Sequence, residues 1–124
     1  FSLLAMLFIN RGGVVFGAAI NSNNEVYHTS ITSIDELDKL RGSKYVQSTL
    51  GYSYREVREI LQKGRLVLFT GTPCQIAGLK RFLRKPYPNL FLVDIFCHGV
   101  PSPLFLHKTS SILSDRGYDE ISHL

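Results

Sequence analysis

Apolar and polar residues are arranged along this chain in blocks that predict strands alternating with helices. Three short runs, at 14–20, 66–69 and 90–96, are almost continuously apolar, which is typical of strands buried on both faces of a sheet. A polar turn at 21–24 and an alternating segment at 25–29 follow the first run. They predict a second strand that pairs with the first as a hairpin.

Helical segments separate these strands. Roughly nine apolar residues open the chain and predict a helix packed on the sheet, since about 20 are needed to span a bilayer. Segments 33–36 and 53–56 both have the Ser-x-x-Glu spacing of a capping box, with the serine as N-cap. Thr72-Pro73 and Ser102-Pro103 provide an N-cap and a first-turn proline for two later helices.

This order of elements predicts the fold class. Strands that alternate with helices form right-handed crossovers in a parallel sheet. We therefore expect an α/β fold with a mostly parallel or mixed sheet, helices on both faces, and a single three-layer domain over residues 1–124. Because residues 1–10 have the pattern of the middle of an element, we also expect the chain to be a piece of a longer protein.

Composition narrows the class of protein. Hydrophobic residues make up 44% of the chain and charged residues 19%, which excludes a disordered or low-complexity chain. The opening segment lacks the basic region and cleavage site of a signal peptide. Two cysteines, Cys74 and Cys97, are too few for a disulfide-rich secreted domain. We expect a cytoplasmic protein with reduced thiols and no membrane span.

Charge is concentrated in the middle of the chain. The formal net charge is +4, but residues 41–88 contain ten basic and two acidic side chains, a net of +8, while residues 1–40 and 89–124 are each at −2. Such a block favours an anionic partner. The basic residues at 80–85 suit the polar face and C-terminal end of a helix, where cations complement the dipole. Without interleaved aromatic residues or a known motif, no nucleic acid is expected as the partner.

Candidate chemistry lies where two strands end. Ligands of open α/β sheets gather at the carboxyl ends of strands, and Gly71-Thr72-Pro73-Cys74 and Cys97-His98-Gly99 follow two successive strands. Cys74 falls in the first turn of a helix, where free N–H groups and the dipole stabilise a thiolate that can be a nucleophile or a metal ligand. No Cys-x-x-Cys pair is present. From spacing alone, two inert buried cysteines are the simpler interpretation.

A second candidate is the Gly/Ser turn Gly42–Ser48. Its backbone N–H groups and Lys44 suit a phosphate, and Tyr45 can lie against a ring. No Walker or dinucleotide glycine pattern accompanies it, and a charged loop entering a short strand is the alternative. Asp94, within an apolar run, is predicted to need a polar or cationic partner. His28 has no acidic or thiol residue beside it.

Three motifs in this order carry a resemblance to a known family. They are RGSKYVQS at 41–48, GTPCQIAGL at 71–79 and DIFCHGVPS at 94–102. Together they resemble the coenzyme F420 hydrogenase/dehydrogenase beta-subunit family, from residue 1 to about residue 110. The resemblance implies a flavin and iron–sulfur oxidoreductase subunit that transfers electrons between a 4Fe–4S cluster, FAD and a hydride carrier or small substrate. Its implied partners are other subunits of a redox complex or a redox donor protein, and a small-molecule hydride carrier.

The same resemblance assigns roles to residues. It implies that Cys74 and Cys97 ligate the 4Fe–4S cluster, with further cysteines outside this chain, so that the piece alone is expected to be inactive. It also implies an FAD site lined by one loop and one strand end. The residues are Ser43, Lys44, Tyr45, Val46, Gln47 and Ser48 in the loop, and Gly71, Thr72 and Pro73 at the strand end.

Two other function classes stay open. One is a cofactor-free binding or assembly module of the same fold, in keeping with bacterial family members found among polysaccharide-synthesis enzymes. The other makes Cys74 a nucleophile at a helix N-terminus, which requires a base within reach. His98 is the candidate base.

Overall fold

A computed structural model describes residues 1–117 and shows strands and helices in the predicted alternation. Residues 118–124, the end of the domain predicted over 1–124, lie outside the described part. The elements are α1 Ser2–Ile9, β1 Val14–Ile20, β2 Val26–Ile31, a 3₁₀ helix Ile34–Leu40, α2 Ser53–Gln62, β3 Val67–Gly71, α3 Pro73–Leu83, β4 Leu90–Asp94 and α4 Pro103–Asp115.

The four strands form one mixed sheet in the order β2-β1-β3-β4. β1 and β2 pair antiparallel as the predicted hairpin, while β1 is parallel to β3 and β3 to β4. The Asn21 side chain shapes the hairpin turn, because its Oδ1 accepts the backbone N–H groups of Asn23 and Glu25 at 2.9 Å each. The predicted α/β class is confirmed.

Helices cover both faces of this sheet. Successive side chains of a strand point to opposite faces, so Phe69 of β3 packs under α2 and α3. Leu68, its neighbour, packs under α1 and the 3₁₀ helix. Two apolar cores thus lie on either side of the sheet, as expected for three layers.

β4 differs from its prediction as a buried strand over 90–96. It ends at Asp94, and Phe91 and Val93 are 49% and 37% exposed. β4 is an edge strand of the described sheet, and α1 reaches only as far as the Phe91 ring, which meets that of Phe8 at 5.1 Å. Asp94 is exposed as well, so the prediction that it needs a partner was wrong.

The two predicted capping boxes also differ in the structure. Ser53 is the first residue of α2 rather than its N-cap, and its hydroxyl donates to the His28 carbonyl at 3.4 Å. Tyr52 takes the N-cap position, and the Ser53 hydroxyl ties the helix to β2 instead. Ser33 is an N-cap, but of a 3₁₀ helix and without a side-chain cap bond. There Glu36 Oε2 accepts the backbone N–H of Thr32 at 3.3 Å.

The last helix, α4, lies on the surface and buries none of its residues. Its predicted N-cap is confirmed, because Ser102 Oγ accepts the backbone N–H of Phe105 at 3.3 Å. Across residues 1–117, every helix falls short of the length or the apolar character that a bilayer-spanning helix requires.

Candidate functional site

The carboxyl ends of β3 and β4 lie side by side and bring the two cysteine segments to one edge of the sheet. Gly71 pairs with Asp94 in the parallel register, and the backbone N–H of Ile95 donates to the Gly71 carbonyl at 2.9 Å. Cys74 and Cys97 each follow this pair by three residues. The register of the sheet therefore fixes the neighbouring points from which both cysteine segments leave it.

Both thiols are exposed, so the interpretation as inert buried cysteines is wrong. Cys74 Sγ lies 3.0 Å from Thr72 Oγ1, and Cys97 Sγ accepts the backbone N–H of Gly99 at 3.4 Å. Hydrogen bonds to sulfur stabilise a thiolate and tune the potential of iron–sulfur clusters. Each sulfur thus has solvent access and a hydrogen-bonding group beside it.

His98, the candidate base for a Cys74 nucleophile, packs beside Phe96. Its ring meets the Phe96 ring edge-on at 4.9 Å. Within residues 1–117, the Cys74 thiol has its hydrogen bond with the Thr72 hydroxyl, and none joins it to His98. The geometry therefore gives no support to a thiol–imidazole pair.

His28, from β2, connects the Gly42–Ser48 turn to the turn that carries Cys74. Its Nδ1 is 2.8 Å from Ser48 Oγ, and its Nε2 is 2.9 Å from the Thr70 carbonyl. Gln75 Nε2 donates to the same Ser48 hydroxyl at 2.9 Å. Gln75 Oε1 accepts the backbone N–H of Thr72 at 3.0 Å. The two predicted FAD-site segments thus share one hydrogen-bonded network.

The partners in this network fix the state of the His28 ring. A carbonyl only accepts, so the proton facing Thr70 must reside on Nε2. In the neutral ring Nδ1 is then unprotonated, and Ser48 Oγ, which accepts from Gln75, donates its own proton to it. Burial lowers the pKa of His28, although the Thr70 carbonyl opposes that shift. The ring, which also stacks on Phe69 at 5.2 Å, is therefore neutral near pH 7.

This lowered pKa predicts a loss of stability in acid. Unfolded histidine titrates near 6.5. Below that pH, His28 binds a proton in the unfolded chain but remains neutral in the folded chain. The free energy of unfolding therefore decreases as the pH falls, until the pH reaches the lowered pKa of His28 in the folded state. His28 should contribute a slope of up to about 1.4 kcal/mol per pH unit in this window. Urea unfolding as a function of pH should show a smaller slope for His28→Gln, whereas the exposed control His107→Gln should retain it.

Tyr54 and two glycines hold the first turn of α3 in place. The Tyr54 hydroxyl donates to the Gln75 carbonyl at 2.6 Å. A Cβ on Gly78 would come within 2.8 Å of that hydroxyl, and a Cβ on Gly71 within 2.9 Å of Gln75 Oε1. Burial raises the pKa of Tyr54, and the nearby Cys74 raises it further. The turn that presents Cys74 is therefore fixed from two sides.

Lys44, predicted to face a phosphate, binds backbone carbonyls instead. Its Nζ donates to the Arg41 carbonyl at 2.7 Å and to the Lys39 carbonyl at 3.5 Å, at the end of the 3₁₀ helix. Burial lowers the pKa of Lys44. The ammonium thus anchors the start of the loop and adds a positive charge beneath it.

The remaining loop residues divide into exposed and buried members. Ser43, Tyr45 and Gln47 are exposed, with 72% of Tyr45 accessible. Val46 is buried, and Ser48 is engaged by the His28 network. The alternative interpretation predicted a short strand after this loop. In its place the structure has a single β-bridge between Tyr27 and Thr49. At the strand end, Thr72 is buried and Pro73 exposed.

A cavity of about 310 Å³ lies beside this loop. It is lined by the β1–β2 turn, by Val46 and Thr49, and by Leu106 and His107 of α4. Its volume is at the lower end of the roughly 300–1,000 Å³ typical of small-molecule sites. The cavity can hold one ring system but not a whole dinucleotide.

The donor set for a metal or cluster is incomplete within the described residues. Nowhere in residues 1–117 do three or more His, Cys, Asp or Glu side chains come together as a metal site would require. The two exposed thiols have the soft-ligand chemistry that iron–sulfur clusters use. They fit part of such a site, and the rest would have to come from other residues.

Sequence reasoning missed His28 and Gln75 as members of the site. The bonds of His28 reach residues 20 and 42 positions away, so no local motif reports them. One signal was available, because His28 shares the inward face of β2 with the buried Val26. A polar residue on such a face must find hydrogen-bond partners.

Comparison with known proteins adds one finding about the second half of the chain. Residues 64–123 match the family model that describes the C terminus of the coenzyme F420 hydrogenase/dehydrogenase beta subunit. The matched stretch contains β3, β4 and both cysteines. Over these residues, the match confirms the family predicted from the three motifs. No curated protein matches the chain.

Proposed function

Because residues 64–123 belong to the coenzyme F420 hydrogenase/dehydrogenase beta-subunit family, we propose that this chain is part of a flavin and iron–sulfur subunit of an oxidoreductase. One observation carries the proposal. Cys74 and Cys97 are both exposed and follow adjacent parallel strands whose ends are paired at Gly71 and Asp94. Two exposed thiols that follow neighbouring strand ends suit a shared redox group better than a packing role.

In this proposal Cys74 and Cys97 supply two of the ~4 thiolates of a 4Fe–4S cluster, and residues outside this chain supply the others. When bound, the cluster supplies one-electron transfer. The chain's own contribution is to keep the sulfurs charged and in place. The Thr72 hydroxyl and the Gly99 N–H stabilise the thiolates, and Tyr54 fixes the turn that carries Cys74.

The flavin side of the proposal uses the loop beside this turn. Bound FAD supplies the exchange between single electrons and hydride. Ser43, Tyr45 and Gln47 are free to contact it, while Lys44 contributes positive charge from beneath the loop. The His28 network keeps the loop and the Gly71–Pro73 strand end at a constant separation.

The proposed partners follow from the redox role. They are other subunits of a redox complex or a redox donor protein, and a small-molecule hydride carrier. We place the protein in the cytoplasm, where exposed thiols stay reduced.

A second candidate is a binding or assembly module that keeps the fold without the cofactors, as in a polysaccharide pathway. One observation favours it: within residues 1–117, no three His, Cys, Asp or Glu side chains come together as a metal site. This candidate predicts a full-length protein that contains neither iron nor flavin.

The test is cofactor analysis of the full-length protein purified without oxygen. We expect visible flavin absorbance that bleaches with dithionite, and stoichiometric iron. Cys74→Ser and Cys97→Ser should each reduce the iron content at least about tenfold, because a cubane missing one thiolate is not retained.

The matched control is Ser114→Ala on the exposed face of α4, which should leave iron unchanged. A colourless, iron-free full-length protein would refute the redox proposal and support the assembly module. Loss of function in the Cys74 variant alone, with iron intact in both, would instead indicate a nucleophile.

A further inference from the structure

The amino ends of β3 and β4 form a second edge of the sheet, opposite the cysteines. The connections 63–66 and 84–89 lead into these strands, and 10–13 leads into β1. They are joined directly, since the Arg65 guanidinium donates to the Gly12 carbonyl at 3.1 Å. Asn89 Nδ2 in turn donates to the Arg65 carbonyl at 2.7 Å. The three connections therefore form one continuous surface.

This surface is strongly basic. Segments 62–66 and 80–89 contain six basic side chains and no acidic one, and all six residues are exposed. We call these residues the basic edge: Lys63, Arg65, Lys80, Arg81, Arg84 and Lys85. The ion pairs within residues 1–117 are Lys39–Glu36 and Arg41–Asp38, both on another element. The charge of the basic edge is thus uncompensated in the described part of the chain.

An apolar groove lies beside the basic edge, between the end of α3 and β4. It encloses about 420 Å³ and is walled by Leu83, Tyr87, Leu90 and Leu92. Lys80, Arg84 and Lys85 border it. Lys85 Nζ also lies 5.0 Å from the centre of the Tyr87 ring. The groove therefore combines an apolar floor with a cationic rim.

Arg84 occupies its place in the rim at an energetic cost. It caps α3 in the left-handed conformation, with φ of +62°, where glycine is the favoured residue and other side chains are strained. Ending the helix does not require a charged side chain at this point. Strain retained at a surface position is a signal of a role outside folding.

We propose that the basic edge and its groove bind an acidic segment of a partner protein. Apolar side chains of that segment occupy the groove, and its carboxylates contact Lys80, Arg84 and Lys85. The positive rim selects an acidic partner by charge complementarity. The apolar floor favours a polypeptide, whose apolar side chains can fill the groove. A nucleic-acid backbone would contact the basic side chains through its phosphates and make no contact with the apolar floor. The proposal does not depend on cofactor binding, since the cysteines lie at the opposite edge.

The experiment measures binding of a short fluorescent peptide that alternates glutamate with leucine, by anisotropy at low salt. The triple variant Lys80→Ser/Arg84→Gly/Lys85→Ser should bind about tenfold more weakly, the expected sum of three exposed charge pairs. Arg84→Gly relieves the strained backbone, so this loss should occur without a loss of stability. A peptide with alanine in place of leucine should also bind more weakly than the original.

The matched control removes the same charge elsewhere, in Arg55→Gln/Lys108→Gln/Arg116→Gln, and should retain the original affinity. An equal loss in this control would overturn the proposal, because net charge alone would then account for binding. It would also be overturned by equal affinity for the leucine-free peptide, or by tighter binding of single-stranded DNA or anionic vesicles at the same salt concentration.

Discussion

Replacing Phe69 with alanine should lower the free energy of unfolding by about 4 kcal/mol, the usual cost of deleting a buried phenylalanine ring. Phe69 is fully buried in β3. Its ring centre lies 6.0 Å from that of Phe16, 5.2 Å from that of His28 and 6.0 Å from that of Tyr54. The cavity would therefore open where the core supports the site. Urea unfolding monitored by circular dichroism measures the loss.

A neighbouring phenylalanine provides the control. Phe91 of β4 is 49% exposed, and Phe91→Ala should cost about 1 kcal/mol, since much of its ring is already in water. Phe69→Leu, which keeps most of the volume, should fall between the two. Equal losses for Phe69→Ala and Phe91→Ala would contradict the assignment of Phe69 to the centre of the core.

β1 and β3 show why much of the fold was predictable from the sequence. Val67, Leu68 and Phe69 are consecutive and all fully buried, because helices cover both faces of β3. A strand covered on both faces consists almost entirely of apolar residues, so the continuous apolar run in the sequence indicates a buried strand. The residues Thr72-Pro73 likewise predicted the start of α3, since both act through local backbone geometry.

β4 shows where this reasoning fails. Its sequence is as apolar as that of β3, yet Phe91 and Val93 are partly in water. Whether a strand face is covered depends on which distant elements pack on it, and a local pattern does not contain that information. The prediction of Ser53 as an N-cap failed for the same reason. Its hydroxyl donates to the carbonyl of His28, which lies in β2 and is distant in sequence.

The sequence predicted where the candidate site lies in the fold, but not which of its residues are hydrogen-bonded to each other. Topology placed the Cys74 and Cys97 segments at neighbouring strand ends, because parallel strands end at the same edge. The sequence did not indicate that Lys44 would bind the Arg41 carbonyl. Nor did it indicate that Gln75 would reach Ser48, 27 residues away. Residue type predicts what a side chain can bind, whereas the tertiary fold decides which partner it meets.

Gln75 should prove the most costly polar residue of the site to replace. In Gln75→Leu the size of the side chain is kept, but the backbone N–H of Thr72 and the hydroxyl of Ser48 each lose a partner. Gln75 and Thr72 are buried, so water does not readily replace the amide. We expect a loss of about 2 kcal/mol in the free energy of unfolding. Backbone amides at 44–48 should also exchange hydrogen faster, since the loop loses one of its ties.

Gln47→Leu is the matched control, because Gln47 belongs to the same loop and is exposed, so its replacement should change stability by less than about 0.5 kcal/mol. A double-mutant cycle then isolates the contact itself. With Ser48→Ala as the second change, the Gln75–Ser48 pair should show a coupling of about 1 kcal/mol, since the two residues are bonded directly and also share His28. Strict additivity would mean that the Gln75–Ser48 bond does not tie the loop to the Cys74 turn. In that case the hydrogen bonds of His28 alone would have to set their separation.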